Sequence, residues 1–330
     1  MGSSANSTTP GASPRFLAEF RARADAVGTM TFARFMELAL YDPIAGYYRQ
    51  PRSRIGYAPG TDFFTASTSG AVFGELVAAA CVTLLGGRNP RDFTFVEIGT
   101  EPGGGVLAGA PHPFGTTRAV RIGETPELSG PCIVFSNELF DAQPFHRFIR
   151  RLGMWCELGV ALRDGSLVEV EMPTATCAPL PTAAPEGYVI DAPLAAGTLA
   201  RQITAQPWTG LFVACDYGKS WREMAEATPT GTARAYFRHT QSNDLLARPG
   251  EQDLTCHVCW DWLTEALAQH GFATPTVESQ EAFFIHHAAS VIAATSAADA
   301  TRFSQRKLAL LQLLHPAHLG QKFQILHALR

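Results

Sequence analysis

The chain contains 330 residues, which is enough for one large α/β domain or for two smaller ones. Hydrophobic residues make up 46% of it and charged residues 17%, so a sizeable core is possible and wholesale disorder is excluded. The net charge is −4 and the pI is near 6.2, which argues against a nucleic-acid partner because the chain lacks a broad basic surface. No apolar window approaches the roughly 18 residues that a membrane-spanning helix requires.

Residues 1–14 are small and polar, and they predict a disordered tail. This stretch has neither the charged n-region nor the apolar h-region of a secretory signal. Seven scattered cysteines fit reduced thiols better than a disulfide framework. We therefore expect a cytoplasmic protein. The mitochondrial matrix is the less favoured alternative, because Glu19 and Asp25 interrupt the arginines that follow the tail.

Residues 15–90 are predicted to form an N-terminal helical segment. Two helical patterns follow the tail, at 16–27 and at 32–40, and Thr31 is the candidate N-cap of the second. Residues 68–85 predict a further, buried helix, since their apolar side chains share one helical face.

Three short apolar runs, at 93–98, 132–135 and 211–215, each end in glycine or polar residues. Continuous apolar runs are typical of parallel strands that are buried on both faces of a sheet. We therefore expect an α/β fold with a Rossmann-like sheet whose chemistry lies at the carboxyl ends of the strands. This core would comprise 91–145 and 205–330, with helices at 260–269 and 303–314 and a last strand at 322–329.

Residues 146–204 have a different pattern and predict an antiparallel insertion that forms a substrate lobe. Within it, the stretch 154–171 has β-type sequence on both sides of Asp164 and Gly165. An Asp-Gly pair between two such runs is a strong signal for a two-residue hairpin turn.

An acidic residue and a glycine-rich turn follow the first apolar run. Glu97 and Gly99 end the run, and Gly103 and Gly105 lie in the turn. Such a turn lets backbone N–H groups approach a nucleotide-like ligand closely. The ligand could be the pyrophosphate of a dinucleotide or S-adenosylmethionine, and a plain turn is the alternative.

Three polar side chains, Asn137, Glu138 and Asp141, follow the second apolar run. They are poor core residues, although capping of a following helix is an alternative role. Carboxylates and an amide at this position could orient a cationic or amine nucleophile such as a guanidinium. These residues are the candidate catalytic group.

The sequence does not predict a metal site. Cys256 and Cys259 form one pair, whereas a zinc knuckle requires a second. The histidine pairs at 286–287 and at 315 and 318 lack cysteine or carboxylate companions in the pattern. We expect them to be surface or partly buried side chains.

An ordered series of motifs resembles the MidA-like family of class I S-adenosylmethionine-dependent methyltransferases, which includes a mitochondrial complex I assembly factor. The series runs LYDP (40–43), GYY (46–48), DFFTA (62–66), FGEL (73–76), EIG (97–99), NELFDA (137–142), DYG (216–218), DLT (253–255) and GQKF (320–323). The resemblance implies S-adenosylmethionine as cofactor and methylation of a protein arginine, on a respiratory complex I subunit.

The resemblance also implies roles for individual residues. Glu97, Gly99, Gly103 and Gly105 fall on the family's cofactor loop, and Asp62 and Thr65 fall on a second segment that faces the cofactor. Asn137, Glu138 and Asp141 fall on the motif beside the transferable methyl group. Glu138 is the first candidate to accept the charge or proton of the guanidinium, and Asp141 is the second.

One departure from the family bears on activity. Only residues 106–131, which include four prolines, are available for the second strand of the sheet and its two crossovers. A parallel crossover usually takes a dozen residues or more, so we expect a sheet truncated near strand 2. The family's ribose-binding acid would then be missing, with Glu124 as a possible substitute. The alternative function is therefore a catalytically impaired member that acts as a non-enzymatic assembly factor.

Overall fold

The structure is a computed structural model that describes residues 11–50, 54, 62, 70–100, 104–174, 178–298 and 304–330. Most of the predicted tail, namely residues 1–10, lies outside the described residues. Within the described ranges, no helix is both long enough and apolar enough to cross a membrane.

Nine α-helices are present among the described residues, numbered here in chain order: α1 (Pro14–Arg23), α2 (Phe32–Tyr41), α3 (Ala71–Leu84), α4 (Leu194–Thr204), α5 (Trp221–Glu226), α6 (Trp260–Gln269), α7 (Gln280–His287), α8 (Ala289–Ala298) and α9 (Gln305–Leu314). The helices expected near 16–27, 32–40, 68–85, 260–269 and 303–314 are confirmed. The side chain of Thr31 caps α2 as predicted, with its Oγ1 accepting from the N–H of Arg34 at 3.3 Å.

The same residues form sixteen β-strands: β1 (Thr29–Thr31), β2 (Thr94–Thr100), β3 (Thr116–Arg121), β4 (Gly130–Asn137), β5 (His146–Arg151), β6 (Met154–Arg163), β7 (Ser166–Met172), β8 (Val189–Ala192), β9 (Trp208–Asp216), β10 (Gly218–Lys219), β11 (Arg234–Phe237), β12 (Thr240–Ser242), β13 (Asp253–Thr255), β14 (Val258–Cys259), β15 (Ala273–Ser279) and β16 (Gln324–Leu329). The three predicted buried strands correspond to β2, β4 and β9, and the predicted last strand to β16.

The largest sheet has six strands in the order β15-β16-β9-β4-β2-β3. Strands β9, β4, β2 and β3 are mutually parallel, and β16 inserts antiparallel between β9 and β15. The expected α/β fold with a parallel, Rossmann-like core is therefore confirmed. The carboxyl ends of four neighbouring strands meet at one edge of this sheet.

The segment 106–131 accommodates a strand and its return connection, contrary to the expectation from its length. Strand β3 pairs parallel to β2, which pairs parallel to β4 on its other side. Residues 122–129 make the return from β3 to β4 without a helix. Eight extended residues reach about 27 Å, and a return along six strand residues and across one strand needs roughly 22 Å. The expectation was wrong because it assumed crossovers of helical length.

Apolar side chains on both faces of this sheet are buried, which explains the continuous apolar runs. Along β4, Ile133 and Phe135 point into one core cluster, while Cys132 and Val134 point into another. The first cluster is covered by α3, α7 and α9, and the second by α4 and α6. Each fully buried aromatic or aliphatic side chain in these layers stabilises the fold by about 1.5–3 kcal/mol.

A second, antiparallel sheet contains β1, β5, β6, β7 and β8, and β6 and β7 form the hairpin predicted at Asp164 and Gly165. Helices α1 and α2 pack beside it in a third core cluster, which also takes side chains from β11 and β13. Helix α4 lies within the predicted insertion 146–204, but its buried residues belong to the core of the six-stranded sheet. The antiparallel part of that segment ends with β8, at Ala192.

Candidate active site

A cavity of about 1010 Å³ lies at the carboxyl ends of the parallel strands. Gly99 near the end of β2, Glu124 after β3 and Tyr217 after β9 all line it, as do Asn137, Glu138 and Asp141 at the end of β4. The structure therefore brings the glycine turn and the candidate catalytic group to a single cavity. Parallel α/β sheets bind ligands at this edge.

The turn after β2 is held by a partly buried carboxylate that does not itself line the cavity. Oε2 of Glu97 accepts a hydrogen bond from the N–H of Val106 at 2.7 Å. A Cβ at Gly105 would lie 2.2 Å from the same oxygen, so the close approach requires glycine there. Burial raises the pKa of Glu97 to about 7, although the bond from Val106 acts in the opposite direction.

Gly99 opens the turn and has a φ of 86°, in the left-handed region that favours glycine. It contributes backbone to the cavity wall, beside the side chain of Leu139. Of the remaining loop candidates, Gly103 lies outside the described residues, and so does Thr65 on the second cofactor segment.

Glu124 lies at the cavity just past the end of β3. Its Oε2 accepts a hydrogen bond from the N–H of Arg121 at 2.8 Å, which closes a tight turn after the strand. Arg49 lies against this turn, and its Nη1 is 3.4 Å from the carbonyl oxygen of Ile122. An acidic side chain is thus present at the end of β3, where the family's ribose-binding acid is expected.

Glu138 occupies a strained and partly buried position at the end of β4. It has a φ of 51°, and its N–H donates to the carbonyl of Cys215 at 2.9 Å, which ties it to the neighbouring strand β9. The amide of Asn137 donates to Oε1 of Glu138 at 3.0 Å. Burial, and next the charge of Asp141, raise the pKa of Glu138 well above its usual value.

Asp141 lies in a turn that Asp216 locks in place. Oδ2 of Asp216 accepts from the N–H groups of Phe140 and Asp141, at 2.9 and 3.3 Å. Burial raises the pKa of Asp141 to about 6, while a hydrogen bond from Tyr217 lowers it. Among the described residues Oδ1 of Asp141 is buried without a hydrogen-bond partner, so it can accept from a ligand.

The structure adds polar residues that the sequence analysis did not assign to the site. Asp253 is buried, and its Oδ1 accepts from the hydroxyl of Tyr48 at 3.0 Å. Burial, and next Asp141, raise the pKa of Asp253 well above its usual value. Tyr41, Tyr217 and Tyr236 also line the cavity. The DYG and DLT motifs contained part of this signal, but only the fold brings them to the same cavity.

A basic group of side chains lines another part of the wall. Lys219, Arg234 and His257 all face the cavity. Burial, and next the charges of Lys219 and Arg234, lower the pKa of His257 to about 4. His257 is therefore neutral at physiological pH, and its Nδ1 is buried without a partner among the described residues.

Asp62 lies away from the cavity wall. It is fully buried, its Oδ2 accepts from the hydroxyl of Tyr47 at 2.7 Å, and its Oδ1 accepts from the N–H of Arg238 at 2.9 Å. These bonds join the N-terminal segment to the loop after β11.

Known proteins resemble this chain in sequence. A family model described as "Putative S-adenosyl-L-methionine-dependent methyltransferase" matches residues 118–277. Protein arginine methyltransferase NDUFAF7, mitochondrial, of Danio rerio is 24% identical and the match covers 92% of this chain and 84% of that protein. The mitochondrial NDUFAF7 homolog of Drosophila melanogaster is 26% identical, and the match covers 73% of this chain and 67% of the homolog.

Two crystal structures of Burkholderia thailandensis proteins share the fold. One, bound to S-adenosyl-homocysteine, superposes with a TM-score of 0.82 at 26% identity and covers 96% of this chain and 92% of its own. The other, a native structure, has a TM-score of 0.79 at 25% identity and covers 96% and 91%.

These comparisons correct one expectation and confirm another. The expected cytoplasmic location is contradicted, since both curated relatives are named as mitochondrial proteins. The family that the motif series indicated is confirmed by the family model, the curated relatives and the shared fold together. In sequence and in fold, the chain is thus similar to MidA-like S-adenosylmethionine-dependent methyltransferases.

Proposed function

We propose that this chain methylates an arginine side chain of a protein, with S-adenosylmethionine as the methyl donor. The observation on which this proposal depends is a group of three carboxylates, the partly buried Glu138 with the buried Asp141 and Asp253. They line the same cavity as Gly99 and Glu124. The part of the cavity at Gly99 and Glu124 suits a cofactor, and the part at the three carboxylates suits a cation.

The cofactor end consists of Gly99, the turn at Glu124 and the backbone that Glu97 holds in place. The exposed backbone at Gly99 allows the close approach that an adenosine-containing ligand requires. The carboxylate of Glu124 would accept hydrogen bonds from the ribose hydroxyls. When bound there, S-adenosylmethionine would supply an electrophilic sulfonium methyl group. The residues present therefore fit the cofactor.

The acceptor end is suited to a guanidinium. Burial raises the pKa of Glu138, Asp141 and Asp253, and the charge of Asp141 raises those of the other two further, because burial and repulsion disfavour the charged forms. A guanidinium placed among them would favour ionisation and form charge-assisted, bidentate hydrogen bonds. The unpartnered Oδ1 of Asp141 is one acceptor available for this purpose.

Glu138 is our choice for the group that accepts the proton lost by the guanidinium. Its raised pKa makes it, once ionised, a stronger base than an ordinary carboxylate. The bond from Asn137 fixes its orientation. Asp141 and Asp253 would hold the rest of the guanidinium, so that the reacting nitrogen is aligned as proximity catalysis requires.

The identity of the substrate rests on chemistry and on relatives together. The two curated relatives are named as protein arginine methyltransferases, and the acidic pocket favours a cationic acceptor. A complex I subunit is the substrate that the family resemblance implies. The alternative of a non-enzymatic assembly factor depended on the shortness of 106–131, and β3 with Glu124 at the cavity removes that reason to prefer it.

The test is methyl transfer from labelled S-adenosylmethionine to matched peptides that differ only in arginine or lysine, with products located by mass spectrometry. We expect label on the arginine peptide. Glu138→Gln should lower the rate by about 100-fold or more, the scale of a lost general base, while binding S-adenosyl-homocysteine normally. Asp244→Asn, at an exposed position outside the cavity, is the matched control. Cofactor binding without label on any peptide would contradict the proposal.

A further inference from the structure

We propose that Glu278, His287 and His327 form a binding site for a divalent transition-metal ion, with Zn²⁺ as the best match. Nε2 of His287 lies 3.1 Å from Oε2 of Glu278, and Nε2 of His327 lies 3.2 Å from the same oxygen. One ligand atom from each of the three residues lies within 4.8 Å of the other two. None of the three lines the cavity described above.

The spacing of these atoms suits a metal ion. Tetrahedral zinc with bonds of about 2.0–2.1 Å separates its ligand atoms by roughly 3.4 Å, so small side-chain movements would suffice. Two imidazoles with one carboxylate form a common donor set for zinc and other first-row metals. Nδ1 of His286 lies 2.6 Å from Oε1 of Glu278, which makes this histidine, or a water, the candidate fourth ligand.

Three elements converge to form this site. Glu278 on β15 pairs with Ile325 on β16, and His327 is two residues further along β16. Glu278 and His327 are therefore diagonal neighbours on the same face of the sheet. His287 ends α7, which begins directly after β15 and returns over this face. A helix C-terminus also favours a nearby cation.

The site is sheltered and supported. The side chains of Glu278, His287 and His327 are only 16%, 19% and 12% exposed. The buried ring of Phe283 packs against both imidazoles, at 5.1 Å from that of His287 and 5.4 Å from that of His327. Oγ1 of Thr83 donates to the carbonyl of His287 at 2.8 Å and anchors the end of α7 to α3. Such supporting contacts orient metal ligands.

This arrangement of elements explains why the sequence did not predict the metal site. The histidine pair at 286–287 lacks a carboxylate companion in the sequence pattern, but the turn from β15 into α7 brings Glu278 against both histidines. His327 arrives from the far end of the chain through the pairing of β15 with β16. A bound metal would join the edge strand and α7 to the interior of the sheet, which is a structural role independent of methyl transfer.

The test is titration of the full chain with Zn²⁺ by calorimetry after chelator treatment. We expect one ion per chain, and His287→Asn and His327→Asn should each weaken binding by at least about tenfold. His315→Asn is the matched control, because the ring of His315 also lies against that of a second histidine, His318, at 5.2 Å. Circular dichroism would verify that each variant is folded.

Co²⁺ bound to the wild-type protein provides a second measurement that needs no variant. Nitrogen and oxygen ligands should give visible absorption without the charge-transfer band of a cysteine thiolate. A thiolate band, the absence of zinc binding, or equal affinity in wild type and both histidine variants would overturn the proposal. The three residues would in those cases form a hydrogen-bonded ion cluster only.

Discussion

At the scale of single residues, the site is defined by carboxylates that the fold keeps out of water. Asp216 accepts hydrogen bonds from backbone N–H groups. Among the described residues Oδ1 of Asp141 has no hydrogen-bond partner, and Glu138 has a positive φ. Burial of charged groups without cationic partners destabilises the empty protein. Such an arrangement is expected where function requires a cation to complete the site.

Replacing Asp141 by Asn should therefore stabilise the empty protein in a pH-dependent way. Because its folded pKa of about 6 exceeds the unfolded value of about 3.9, the wild type loses stability as pH rises through 6, by up to about 3 kcal/mol. We expect Asp141→Asn to raise the free energy of unfolding by about 1–3 kcal/mol at pH 8. At pH 4 the gain should vanish, since the folded wild type is then protonated at this position.

Urea unfolding at both pH values measures this difference, with the exposed Asp244→Asn as the control. An equal change in stability at pH 4 and pH 8 would show that the carboxyl group of Asp141 does not titrate as inferred. The same variant should lose methyl transfer. Asp141 would then lower the stability of the folded protein while being required for its activity.

At the scale of elements, the turn after β2 depends on the partly buried hydrogen bond from the N–H of Val106 to Glu97. Removing the acceptor in Glu97→Ala would leave the N–H of Val106 unpaired and release the turn beside Gly99. We expect affinity for S-adenosyl-homocysteine to fall by about tenfold or more, measured by calorimetry. Glu97→Gln keeps an oxygen at the same place and should change the affinity by less than about threefold. Equal losses in both variants would mean that the charge, and not the hydrogen bond, matters.

The sequence predicted those elements in which burial gives the apolar residues a recognisable pattern. The strands β2, β4 and β9 were predicted because both of their faces are covered, and α2 because its cap and apolar face agree. Strand β3 was the difficult one. It is an edge strand in which Val120 is the single buried residue, so its apolar pattern is weak. Its crossover to β4 is extended, so the length of the segment argued against a parallel return.

The site was predictable only in part, for a related reason. Asn137, Glu138 and Asp141 follow a buried strand directly, so local sequence placed them at the correct edge. Asp253 and Tyr48 reach the cavity from segments about 200 residues apart, joined by a hydrogen bond that no local pattern contains. Residues so far apart in sequence are brought together only by the packing of the whole chain.

At the scale of the whole molecule, the cavity is a junction between the six-stranded sheet and the elements packed beside it. The end that we propose for the cofactor belongs to β2 and β3, and the end that we propose for the acceptor combines β4 with the N-terminal segment and β13. Ligands at the two ends should therefore stabilise the same folded state. A ligand that binds only the folded protein at about 100 times its Kd adds about 2.7 kcal/mol of stability.

Thermal unfolding can separate the contributions of the two ends with one isosteric variant for each. In the wild type, S-adenosyl-homocysteine should raise the Tm by several degrees, and an arginine peptide should raise it further. Glu124→Gln would lose charged hydrogen bonds to the ribose, so the cofactor-induced shift should shrink while the peptide-induced shift remains. Asp253→Asn, which still accepts from Tyr48, should show the reverse pattern because the acceptor end has lost a negative charge. If both variants lost both shifts equally, the two ends would not be separate binding regions, and the division of this cavity into a cofactor end and an acceptor end would be wrong.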